Sequence, residues 1–256
     1  MKIPLSSDKK SISETEDRSE TRARELMDLI THFAPKQPVT EFYNWITEFL
    51  SLNEKNPNNK EIQELLSRSL KSSIRMFGER KSFADMLNVL DNLHSVYDQS
   101  NKHDIIAEYY AEALSNAIYY LRGSWDSEGT TKLINKIRAL SKDHDDNRII
   151  LLHYAKSYSN AINRFCSDRH NFICDKLLFE LRMFVNKHRD DVDIQVEFAQ
   201  ALTNIIGTFA RERRTNELNQ VLNEIRQLAS RFPSNEKIQL LVTRAIILSS
   251  LSEKKN

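Results

Sequence analysis

Asn116, Asn160 and Asn204 stand at one register of three similar helical segments. Asparagine is a mediocre helix former, so three at one position ask for a reason. A carboxamide donates and accepts hydrogen bonds, which is what an extended peptide backbone requires of a binding surface. On a helical wheel the three lie nearly opposite the Leu114/Ile118 stripe, beside the small column Ala113, Ser157, Ala201 and Ala245. One turn earlier stand Arg68, Glu112, Lys156, Gln200 and Arg244. Lys156 with Asn116 and Asn160 supplies a cation and two amides suited to a carboxylate. Asn116, Asn160, Asn204, Lys156, Arg68 and Arg244 are therefore the candidate ligand-binding residues. The alternative is that each Asn bonds to a neighbouring helix or to water.

A second set is basic. Arg80, Lys81, Arg122, Arg169, Arg211, Arg213 and Arg214 all fall in turns that follow helices. They form a candidate nucleic-acid-binding edge, or they complement the negative ends of those helices. Arg138, Arg182 and Arg226, with His94 in the same column, border an apolar stripe; the expectation is a stem packed on the core and a head bonded nearby. Cys166, Asp168, His170 and Cys174 crowd one turn, but a zinc site wants four ligands at tighter spacing, so no metal is expected. Trp125 in its Gly-Ser-Trp-Asp turn is expected to pack rather than to bind. No phosphate-binding glycine loop, nucleophile–base pair or His-x-x-x-His run appears, and no cofactor is implied.

Composition narrows the class. The chain has 256 residues, long enough for a sizeable core, and its 37 Lys+Arg against 36 Asp+Glu argue against a wholesale electrostatic nucleic-acid binder. Only 4 Gly and 5 Pro make a turn-rich β fold improbable on composition. Two Cys cannot make a disulfide scaffold and suggest a reducing, cytoplasmic setting. No apolar run reaches membrane-spanning length, and the polar N-terminus lacks the apolar core of a signal peptide.

The elements that must position these residues follow from a gapless 44-residue period. One column reads Ile62, Ile106, Ile150, Ile194, Ile238; another Phe49, Leu93, Ile137, Leu181, Ile225; a third Ile30, Ile74, Ile118, Ile162, Ile206. Each unit is two helices, A then B. The A helices are expected near 38–54, 82–100, 127–143, 172–188 and 215–231, and the B helices near 60–78, 103–122, 147–166, 191–211 and 235–251. A B-like capping helix, about 19–33, precedes them. Cap formers at Asn58/Asn59, Asp145/Asp146/Asn147, Asp190/Asp191 and Ser234/Asn235 mark the A-to-B junctions. Residues 1–18 are Ser- and charge-rich without period and read as a disordered polar tail; 19–256 read as one helical-repeat domain. The fold class is thus all-α, about eleven antiparallel helices in five hairpins plus a cap.

Leu114-Ser115-Asn116-Ala117-Ile118-Tyr119-Tyr120, with 158–162 and 202–206, resembles the Leu-Gly-Asn-Ala-Tyr-Tyr stretch of the tetratricopeptide repeat's first helix. Val221 to Pro233-Ser234-Asn235 resembles that family's second helix and its ending. The period of 44 exceeds the family's 34, and Ser or Thr replaces the motif Gly, so this is an elongated relative; armadillo and HEAT arrays fit the period better and the Leu-x-Asn motif worse. The resemblance implies a right-handed α-solenoid whose B helices line a concave groove that the Asn column faces. It implies a non-catalytic scaffold that binds a peptide or helix there, as similar grooves grip peptide C-termini. The alternatives are nucleic-acid binding along the basic turns and a HEAT-like DNA-repair glycosylase; the latter is disfavoured by the mixed charges of the groove column. The apolar C-terminal helix, Ala245 to Leu248, suggests a homodimer through that end.

Overall fold

Apolar residues at helical spacing, few glycines and polar cap formers at the A-to-B junctions leave the chain one way to bury its core: helix against helix. A computed structural model describes residues 7–121, 127–167 and 170–253. It contains eleven α-helices: α1 Ser7–Asp28, α2 Val39–Lys55, α3 Lys60–Glu79, α4 Phe83–Gln99, α5 Asp104–Leu121, α6 Ser127–Asp143, α7 Arg148–Ser167, α8 Asn171–Lys187, α9 Val192–Arg211, α10 Thr215–Arg231 and α11 Glu236–Glu253. The described residues contain no strand. The sequence-based A helices are α2, α4, α6, α8 and α10; the B helices are α3, α5, α7, α9 and α11.

Residues 7–18, expected as irregular tail, belong to α1. The segment carries Lys9, Lys10, Glu14, Glu16 and Arg18, all good helix formers. A π turn, Leu29–Phe33, and a 3-10 turn, Ala34–Lys36, end the helix before Pro38.

Every residue in the three isoleucine-, leucine- and phenylalanine-rich columns is at most 3% exposed. Side-chain caps then hold the starts of four B helices, α3, α7, α9 and α11. Asn59 accepts from the Ile62 N–H, Asn147 from Ile149 and Ile150, Asp191 from Asp193 and Ile194, and Asn235 from Ile238. The last three caps lie 44 residues apart. A second repeated device closes the preceding A helices: Gln195 donates to the Val185 and His188 carbonyls, and Gln239 to those of Ala229 and Phe232.

The chain divides into two compact units, residues 1–113 and 114–256. In the first, α3 packs on α1, α2 and α4. Arg24 pairs with Glu61 at 2.5 Å, Lys71 with Glu112 at 3.0 Å, and the Tyr43 hydroxyl donates to Asp85 at 2.6 Å. In the second unit α7 packs on α9 and α9 on α11, while α6 packs on α7, α8 on α7 and α9, and α10 on α9 and α11. Ser157, Ala201 and Ala245 are fully buried, and their small side chains let neighbouring B backbones approach closely. The A helices lack such a column and stay apart, leaving troughs between α6 and α8 and between α8 and α10.

Candidate functional site

The Asn column lies in the second unit, on the side of α5, α7 and α9 turned away from their apolar stripes. All three side chains are half-buried. Asn160 donates to the Ser115 carbonyl of the neighbouring helix at 3.5 Å, the outer limit of a hydrogen bond. Asn204 accepts from Gln200, one turn earlier on its own helix, at 2.8 Å. The Asn116 side chain makes no hydrogen bond among the described residues. The neighbouring-helix alternative thus accounts for one member of the column, weakly.

Lys156 is half-buried on α7, without an ion pair among the described residues. On α9, Glu197 lies on the same face as Asn204. Burial pushes its carboxyl above the ordinary value, an effect that nearby Lys156 and Lys237 partly offset. Arg244 is exposed on α11. Arg68 is exposed on α3 and belongs to the first unit, whereas the other five candidates belong to the second. Glu197 and Gly207, the latter three residues after Asn204, are features of this face that sequence reasoning passed over. A Cβ added at Gly207 would meet nothing within 4 Å, so packing does not require glycine. The face is polar and of mixed charge.

The basic edge is less available than its sequence suggests. Arg214 is bonded to Asp175 and Glu217, each at 3.0 Å, and its guanidinium lies 4.3 Å from the Phe209 ring centre. Arg80 donates to the Ala34 carbonyl and Arg211 to the Thr208 hydroxyl. Lys81 and Arg213 are exposed, and both take left-handed backbone, φ 58°, just past a helix end. A cation there complements the helix dipole. Arg122 and Arg169 lie outside the described residues, as do Trp125 and Asp168.

Two members of the arginine column bridge successive A helices. Arg138 donates to Glu180 at 2.6 Å and to the Tyr158 hydroxyl at 3.0 Å, and Tyr158 donates to Glu180 at 2.7 Å. Arg182 donates to Glu224 at 3.1 Å. Arg226 is exposed. These bridges close one end of each trough described above. The trough between α6 and α8 has a volume of about 770 Å³ and that between α8 and α10 about 370 Å³.

Cys166 and Cys174, each 1% exposed, are joined as a disulfide across the α7–α8 turn. Their spacing of eight spans that turn, which a count of cysteines does not reveal. As a disulfide they offer no thiolate, and among the described residues no group of three His, Cys, Asp or Glu is placed to hold a metal. Among the described residues no helix is long and apolar enough to cross a membrane. The chain matches no family model, no curated protein and no solved structure.

Proposed function

We propose that the protein is a non-catalytic interaction module, an elongated tetratricopeptide-like α-solenoid of 44-residue hairpins with right-handed winding. Its B-helix face receives an extended peptide or a helix. The observation that carries this reading is the state of the Asn column: three half-buried carboxamides at one register, one unbonded, one bonded at 3.5 Å and one bonded within its own helix. Amides with spare donors and acceptors on a closely packed helical layer can satisfy a peptide backbone. Lys156 supplies the cation for a carboxylate, and Arg244 extends the face toward α11. The repeated caps and Gln bonds support the hairpin period, and the Leu-x-Asn motif favours the tetratricopeptide relation over armadillo or HEAT.

The test is a selection of displayed peptides against the full chain, repeated with the Asn116→Ala/Asn160→Ala/Asn204→Ala variant. Peptides selected by the unmodified protein should lose about tenfold or more in affinity for the variant, a difference of about 1.4 kcal/mol. Melting of the variant should change little. Unaltered binding alongside a lowered melting temperature would make the column structural. Recovery of nucleic acid from cells, lost steeply as salt rises, would move the function to the turn cations.

A further inference from the structure

Helix α8 carries an apolar ridge that no equivalent helix carries. Phe172, Phe179 and Met183 are 83%, 61% and 53% exposed. At 100° per residue they lie within one narrow face. One period later, α10 has Asn216, Asn223 and Gln227 at these positions; one period earlier, α6 has Glu128, Asn135 and Ala139. Packing of the A helices therefore does not require apolar residues there, and water disfavours them. Phe179 and Met183 line the trough between α6 and α8, whose floor is Leu151, Tyr154 and Phe184. The corresponding α8–α10 trough is half the volume; Val185, Phe198 and Leu228 line it, but Asn186 and Gln227 and three arginines stand at its walls in place of an exposed apolar ridge.

Charge says what fits. Lys176 and Lys187 flank the ridge on α8, and Lys142 stands on the opposite wall. None of the three has an ion-pair partner among the described residues. Against them stands one acid, Asp145; Glu180 is held by Arg138, and His188 stacks on Phe184. Lys176 and Lys187 are eleven residues apart, about 16 Å along the helix, or three turns. We propose that this trough docks an acidic amphipathic helix of a partner protein, with two or three large apolar side chains seated on Phe179 and Met183 and carboxylates reaching the lysines. A second copy of this chain is a poor occupant. Its other exposed apolar helix, α11 with Leu240, Ile246 and Ile247, also presents Lys237 and Arg244, which would meet like charge. This surface lies on the A helices, apart from the Asn column, so it stands or falls separately from the B-helix reading.

The experiment is a selection from a randomised helical-peptide display library on the full chain. It is counter-selected on the Phe179→Asn/Met183→Gln variant, which carries the residues that α10 already tolerates. The expected consensus has apolar residues at i, i+4 and i+7 with Asp or Glu beside them. A synthetic consensus peptide should bind the variant about tenfold or more weakly. It should bind Lys142→Glu/Lys187→Glu several-fold more weakly, while both variants melt like the unmodified protein. A consensus lacking acids, or a peptide that binds the variant equally well, overturns the proposal. So does self-association of the chain that the double variant abolishes, because a second copy then covers the ridge.

Discussion

Gly207 is the residue whose type the surrounding structure leaves most in need of explanation. It sits in the interior of α9, where glycine costs about 1 kcal/mol relative to alanine. Nothing within 4 Å would oppose a Cβ, so no neighbour repays that cost. Gly207→Ala should therefore raise the unfolding free energy by about 1 kcal/mol, read from denaturant titration. If a peptide backbone passes over the Asn204 face, the same methyl should weaken binding while it stabilises the fold. A stabilised variant with unchanged affinity would place the ligand away from this turn. The Asn column poses the same question from the polar side. Its members differ in their bonding although their register is the same, because their neighbours differ: Gln200 bonds Asn204, and the Ser115 carbonyl is only marginally within reach of Asn160. The period exposed the column, but bonding depends on each neighbour, so it could not rank the three.

Helix starts and ends are set by a few polar side chains, and Asp191 is the most informative. It caps α9 by accepting from Asp193 and Ile194, and it pairs with Arg148 of α7 at 2.7 Å. Burial alone would push its carboxyl up; the bonds from Arg148 and from the backbone outweigh this and hold it below the ordinary value. The folded chain then takes up a proton at Asp191 less readily than the unfolded chain. The stability it contributes is full above the ordinary carboxylate range and is lost as pH falls through the depressed value. Asp191→Ala should cost about 1 kcal/mol at neutral pH from the lost cap. Asp191→Asn retains a cap former, so its neutral-pH loss should be smaller and its acid-induced loss shallower than that of the unmodified protein. Melting curves from neutral pH down to about pH 2 check both, against the ordinary Asp value near 4. Identical acid profiles for the Asn variant and the unmodified protein would show that another group governs the transition. Cap formers near 59, 147, 191 and 235 were legible in the sequence, because a short polar side chain before an apolar-periodic run has one main use. The Arg148 pair was not, because it joins residues 43 apart in the chain.

At the scale of the molecule, the last helix matters most. α11 packs on α9 and α10, and Leu240, Ile246 and Ile247 are 69%, 44% and 52% exposed. A helical array is held by neighbours, and its end helices have fewer of them. Amide hydrogens of α11 should therefore exchange faster than those of α9, which is packed on both sides; native-state hydrogen exchange resolves the two. Protection of α11 that rises with protein concentration would instead show that a second copy covers this end, as the apolar character of Ala245 to Leu248 suggested.

Helix number, the placement of α2 to α11 and the buried columns were determined by the sequence alone. Fifteen positions in the three apolar columns fall in register, and a helix with one apolar stripe has no stable state except packed against others. Three features were decided only by the tertiary structure. The Cys166–Cys174 bond depends on the end of α7 and the start of α8 lying side by side. The withdrawal of Arg214 from the basic edge depends on Asp175, which lies 39 residues away in sequence. Phe179 and Met183 form the wall of a trough only because of the spacing of the A helices. Periodicity reports which side of a helix is apolar; how far apart two helices stand is settled by side chains that meet across the fold.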